Sequence, residues 1–174
     1  MIQIRDAGAD DLPAIMAIYN HAVEHSTAVW NSAVVDLANR QAWLTDRQNA
    51  GFPVIVAVGA DGVQGYASFG PWRAFDGYRH TVEHSVYVRH DLRGGGVGTA
   101  LMRALITRAR GAGKHAMIAA IEARNTGSIR LHQRFGFEKA GVFPQVGTKF
   151  GGWLDLVFMQ LLLDNRAVPD HPPS

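Results

Sequence analysis

Apolar positions along this chain change period repeatedly, and each change marks a predicted element. Leu12, Ile15, Ile18, Tyr19 and Ala22 fall at helical spacing behind Asp10 and Asp11, two acids suited to the positive end of a helix. Leu37, Trp43 and Leu44 make a second helical stripe, which Asp36 caps and which stops at Gly51 before Pro53. Apolar runs at 53–58 and 63–69 flank Gly59-Ala60-Asp61-Gly62 and predict a hairpin. Residues 81–88 read as a strand. Residues 100–112 place Leu101, Met102, Leu105, Ile106 and Ala109 on one helical face, and 115–121 form a further strand. A short helix is expected over 128–135, ending at Gly136, with strands at 137–142 and 154–162 after it and one at 2–5 before the first helix. The pattern is that of an α/β (α+β) protein without internal repeats.

Composition narrows the picture. With 174 residues, 47% of them hydrophobic, the chain is expected to form one domain over 1–165, followed by a flexible tail at 166–174. The absence of cysteine excludes disulfides, thiolate metal sites and a cysteinyl acyl-enzyme. No apolar stretch reaches the ~18 residues of a membrane span and the start has no signal-like pattern, so a cytoplasmic location and no membrane partner are expected. A net charge of +2 with scattered arginines gives no basic stripe, and no nucleic-acid partner is expected.

The candidate chemistry begins at residues 83–99, which read EHSVYVRHDLRGGGVGT: a strand, a turn, then Arg93 and a glycine cluster opening a helix. Helix N-termini present unsatisfied N–H groups and a positive dipole end, glycines let an anion approach them, and Arg93 adds a permanent fork of donors. A pyrophosphate suits such a loop. A Walker loop is excluded because Thr99 and Ala100, not Lys and Ser/Thr, follow Gly98. A dinucleotide fingerprint is excluded because its third glycine falls on Thr99 or Leu101 in either register.

Arg93-x-x-Gly96-x-Gly98 after the strand Val86-Tyr87-Val88 resembles the coenzyme A loop of the GNAT superfamily of N-acetyltransferases. Asn125-x-x-Ser128-x-x-Leu131 followed by Phe135-Gly136-Phe137 is similar to a second motif of that family. The resemblance runs from Ile2 to Leu163. Within the family it is nearest the acetyltransferases of phosphinothricin, methionine sulfone and methionine sulfoximine, through Ile18-Tyr19-Asn20-His21, Thr81-Val82-Glu83-His84-Ser85-Val86-Tyr87-Val88, Gly147-x-Lys149-Phe150 and Trp153-Leu154-Asp155. It implies a mixed sheet of six to seven strands, splayed at the acetyl-CoA site and flanked by about four helices. It also implies acetyl-CoA as co-substrate, no metal, a small amine acceptor and a homodimer. The cofactor-binding residues it implies are Val86, Tyr87, Val88, Arg93, Gly94, Gly95, Gly96, Val97, Gly98, Thr99, Asn125 and Ser128.

Acetyl transfer to an amine needs a base for the ammonium, a donor for the carbonyl oxygen and a proton for the leaving thiolate. Period-two alternation puts Glu83, Ser85 and Tyr87 on one strand face and Val82, His84, Val86 and Val88 on the other. Glu83 is the candidate base; His84 reads as a hydrogen-bonded core histidine. Many relatives have a tyrosine after the leucine of the second motif, and here that position is His132, so His132 or solvent protonates the thiolate. Arg73 and Phe75, in the turn-rich segment 71–78, together with Glu83, Ser85 and Lys149, are the candidate acceptor-binding residues. The aromatic segment 144–153 is the candidate dimer contact. Two other readings use the same loop: acetylation of a protein N-terminus or lysine, and a non-catalytic acyl-CoA sensor.

Overall fold

The computed structural model describes residues 2–169. Seven strands form one sheet in the order β1-β2-β3-β4-β5-β7-β6: β1 Gln3–Asp6, β2 Val54–Gly59, β3 Gly62–Pro71, β4 Thr81–Val88, β5 Ala116–Glu122, β6 Glu138–Lys149 and β7 Gly152–Leu162. Every neighbouring pair is antiparallel except β4 and β5. Helices α1 Leu12–His25 and α2 Leu37–Asn49 precede β2, α3 Val97–Gly111 joins β4 to β5, and α4 Thr126–Arg134 joins β5 to β6. This is the mixed sheet with four α-helices that the sequence led us to expect.

Both sheet faces are covered, which explains the near-continuous apolar runs of the central strands. On one face Val54, Val56 and Tyr66 meet Leu12, Ile15, Ile18 and Leu44 of α1 and α2. On the other, Ile55, Ala57, Ala67, Phe69 and Val82 meet Leu101, Met102, Leu105 and Ile106 of α3. Burying side chains of this size contributes about 1.5–3 kcal/mol each, so α3 is fixed along its whole length and its N-terminus is held at the end of β4. Asp36 caps α2 as expected, its carboxylate accepting from Asn39 N at 2.8 Å.

Most boundaries shift by one or two residues, and two shift by more. Helix α3 starts at Val97 rather than residue 100, because Gly96 serves as its N-cap at φ +86°, a left-handed conformation that costs glycine little. Strand β6 runs on to Lys149 instead of ending at residue 142, through irregularities at Lys139/Gly141 and Phe143/Gly147 that break the alternation a sequence reading depends on. Of the expected tail, Arg166 donates to Asp164 Oδ2 at 2.9 Å and to Gly113 O at 2.6 Å; residues 170–174 lie outside the described residues. No helix among the described residues is long and apolar enough to cross a membrane.

Candidate active site

The two parallel strands separate early. They pair at Thr81↔Ala116, Val82↔Met117 and Glu83↔Ile118 and then diverge, β4 staying on β3 as far as Val88 and β5 staying on β7 as far as Glu122. Backbone direction alternates along β4: Thr81 O accepts from Trp72 N on the β3 side, while His80 O accepts from Ala116 N on the β5 side. Even-numbered residues therefore turn their backbone toward β5, and past Glu83 this leaves the N–H groups of Val86 and Val88 facing the gap.

The gap opens into a cleft of about 910 Å³. Ten of the expected cofactor residues line it: Val86, Tyr87, Val88, Arg93, Gly94, Gly96, Gly98, Thr99, Asn125 and Ser128. Two do not. Val97 is buried in the core beneath α3, and Gly95 N is turned back onto Leu92 O at 3.3 Å. The N-termini of α3 and α4 both open on the cleft, the latter capped by Asn125, whose Oδ1 accepts from Ser128 N at 3.1 Å. That bond occupies the amide oxygen and leaves the amide N–H groups for a ligand. The Arg93 side chain makes no hydrogen bond or ion pair among the described residues, so a guanidinium and two helix dipoles converge on the cleft, a setting that favours an anion.

Sequence reasoning missed part of the wall. Ile18 and Ala22 of α1 line the cleft as well as belonging to the core, because a helical stripe does not reveal which of its edges meets a cleft. Glu122 ends β5 and Arg124 lies just past it, at the carboxyl end where open α/β sheets place ligands, and that rule would have found them. Glu122 is buried, and burial raises its pKa, but hydrogen bonds from Arg124 and Thr27 outweigh burial and keep it low and ionised. Phe150, expected at an interface, lines the cleft from the β6–β7 turn at φ +51°.

Glu83 points from the opposite side of β4 to His84, as alternation requires. Burial raises its pKa, opposed by the positive charges of Arg73 and then Arg47. A half-buried carboxylate with a raised pKa at a strand fork has the character of a general base, although Glu83, Ser85, Arg73 and Phe75 are not among the residues that line the cleft. Ser85 lies two residues on, on the same strand face and half-buried. Arg73 is exposed and stacks on Trp72 with its guanidinium carbon 4.1 Å from the ring centroid. Phe75 is 77% exposed.

Two expected site residues lie elsewhere. Lys149 is only 8% exposed, and its ammonium donates to Ser26 O at 2.7 Å and to Val29 O. It fastens the β6–β7 hairpin to the segment after α1 and is not free to hold an acceptor anion. His132 is 4% exposed, on the inward side of α4, while Leu131 and Ser128 face the cleft in its place. Its Nε2 lies 3.0 Å from Nε2 of His84, its Nδ1 lies 2.7 Å from Ser128 O, and His84 Nδ1 lies 3.0 Å from Ile118 O. Burial pushes His84 down to about 3, with His132 adding to the shift, and burial lowers His132 as well. The Oγ of Ser128 lies 3.4 Å from Nδ1 of His132, between the buried histidine pair and the cleft.

A parallel strand pair that opens beside two helix N-termini, with a free arginine at the rim and a raised carboxylate at the fork, defines an acyl-CoA-dependent transferase. The comparisons agree. The family model for the acetyltransferase (GNAT) family matches residues 15–137. The L-methionine sulfoximine/L-methionine sulfone acetyltransferase of Pseudomonas aeruginosa is 61% identical, the match covering 95% of this chain and 98% of the relative. The L-amino acid N-acyltransferase MnaT of Escherichia coli is 55% identical over 97% of this chain and 98% of its own. The structure of yncA from Salmonella typhimurium, solved with its cofactor acetyl-CoA, superposes with a TM-score of 0.95 at 54% identity, covering 97% of this chain and 98% of that one. The chain belongs to the GNAT family of N-acetyltransferases and takes acetyl-CoA as its acyl donor.

Proposed function

We propose that this enzyme transfers the acetyl group of acetyl-CoA to the α-amino group of an oxidised sulfur amino acid, L-methionine sulfoximine or L-methionine sulfone, by direct attack in a ternary complex. The observation that carries the reading is Glu83 at the fork of β4 and β5, half-buried, with Arg73 near enough to act on its charge. The names of the two curated relatives support the choice of acceptor. Phosphinothricin, with a tetrahedral phosphinate in place of the sulfone, is an acceptor on the same chemical grounds.

In this mechanism Glu83 removes a proton from the ammonium through a water, and the neutral amine attacks the thioester carbon. Val86 N–H donates to the oxygen as it becomes an oxyanion, since the alternation of β4 points that group into the gap. Collapse breaks the C–S bond and releases CoA thiolate, while the nitrogen of the forming amide gives up its extra proton to water. Its proton comes from solvent or from His132 by way of Ser128. Ser128→Ala separates the two: kcat within about threefold of the parent assigns solvent, and a fall of roughly 100-fold at unchanged acetyl-CoA KM assigns the histidine route.

Arg73 binds the acceptor, so Arg73→Ala raises acceptor KM roughly 10-fold to 150-fold, the loss of one charge-assisted hydrogen bond. The KM for acetyl-CoA stays near the parent value, and Arg73→Lys restores part of the loss because an ammonium cannot make a two-pronged contact. A normal acceptor KM in Arg73→Ala removes Arg73 from the site. Acetyl-CoA consumption over a panel of amino acids, their oxidised analogues and lysine-containing peptides tests the acceptor class. Turnover of peptides alone would favour the protein-acetylating reading, and binding without thiol release would favour the sensor.

The enzyme acts as a homodimer in this proposal. Strand β6 is a sheet edge, and Phe143 (51% exposed) and Trp153 (68%) stand uncovered on β6 and β7, an aromatic surface of the kind dimers bury. Light scattering at micromolar concentration is expected to give twice the chain mass, and a monomer mass refutes this part.

A further inference from the structure

Arg47 takes no part in the mechanism above, yet the fold makes room for it. It stands in the last turn of α2, half-buried, and its guanidinium forms no hydrogen bond or ion pair among the described residues. Burial lowers its pKa and the charge of Glu83 raises it, which places the guanidinium and the carboxylate within electrostatic reach. A Cβ added to Gly70 would overlap Arg47 Nη1. Gly70 is the register partner of Glu83, so the strand beside the base omits a side chain where the guanidinium lies.

A partly desolvated cation with no partner is costly unless a ligand completes it. The reaction supplies one. An α-amino acid carries its amine and its carboxylate on the same carbon, so a base for the first requires a cation for the second close beside it. Glu83 and Arg47 are such a pair, and with Arg73 they leave a net positive charge that one carboxylate neutralises. We propose that Arg47 binds the α-carboxylate of the acceptor, leaving Arg73 for the oxidised end of the side chain. This rests on the assignment of the acceptor to the Glu83 side of the cleft, and it makes the enzyme selective for amino acids over simple amines.

The test compares L-methionine sulfone with 3-(methylsulfonyl)propylamine, which keeps the amine and sulfone and lacks the carboxylate. Arg47→Ala should raise KM for the sulfone amino acid roughly 10-fold to 150-fold and leave KM for the amine within about threefold, whereas Arg73→Ala should weaken both. Gly70→Ala keeps Arg47 but displaces its guanidinium, so it should reproduce the carboxylate-selective loss; acetyl-CoA stabilisation of each variant reports that it is folded. L-methionine sulfone carboxamide on the parent enzyme, which needs no variant, should show a comparable rise in KM. Equal effects on both acceptors, or a shifted pH–rate profile without the selectivity, would overturn the proposal and leave Arg47 as a charge that only tunes Glu83. If the parent ignores the sulfone amino acid, the proposed acceptor falls, and Arg47 is judged on whichever L-amino acid is turned over against its decarboxylated amine. Turnover of carboxylate-free amines alone would overturn both.

Discussion

Glu83→Gln keeps its affinity for acetyl-CoA and loses roughly 100-fold or more of kcat, the usual contribution of a general base. Burial raises the pKa of Glu83 against the opposing charges of Arg73 and Arg47. The parent rate should therefore climb as pH rises through that raised value, because only the carboxylate accepts a proton. In the glutamine variant this limb is missing, and the remaining rise follows deprotonation of the substrate amine. Stability moves the other way. A carboxyl whose folded pKa exceeds its unfolded one binds protons more readily when folded, so its presence lowers stability as pH rises from the ordinary carboxylate range through the raised value. Above that window Glu83→Gln should melt at a higher temperature than the parent while turning over more slowly. Rates within about threefold of the parent across about pH 6 to 9 would mean that Glu83 is not the base.

Gly96→Val abolishes the stabilisation that acetyl-CoA confers. At a ligand concentration of 100 Kd the parent gains about 2.7 kcal/mol, which for a chain of this size is roughly 5–10 °C in Tm. Gly96 sits at φ +86° and its missing Cβ would meet no protein atom, so the space it leaves belongs to the cleft. Valine adds strain of about 1–2 kcal/mol to the unliganded fold and obstructs the approach of phosphate to the first N–H groups of α3. Differential scanning fluorimetry separates the two effects: strain lowers the unliganded Tm, and obstruction removes the ligand-induced shift. An undiminished shift would exclude the loop as the diphosphate site.

Much of this was legible in the chain because local rules and tertiary structure agree there. The bounds of β4, the Asp36 cap and the inward stripe of α3 each follow from spacing or from one side chain bonding its own neighbourhood. The glycine-rich start of α3 on the cleft was legible for the same reason, since glycines, Arg93 and a helix start are contiguous. Residues whose surroundings come from distant segments were misread. Lys149 looks like a free cation until Ser26 and Val29 bring their carbonyls to it, and the position of His132 depends on which side of a nine-residue helix meets the sheet. Arg47 carried no motif, and its importance emerges only where Gly70 passes beneath it.

The seam at Thr81, Val82 and Glu83 has a mechanical consequence. A fork in a sheet behaves as a pair of levers, with the least travel at its vertex and the most at its rim. Glu83 occupies the vertex, and Arg93 lines the cleft beyond the end of β4, so any flexing of the two arms would move the carboxylate less than the cleft's entrance. A long cofactor can then be admitted loosely by its nucleotide end and gripped firmly at its acyl end. On the mechanism proposed above, breathing that eases loading and release would leave the distance over which a proton must travel almost unchanged.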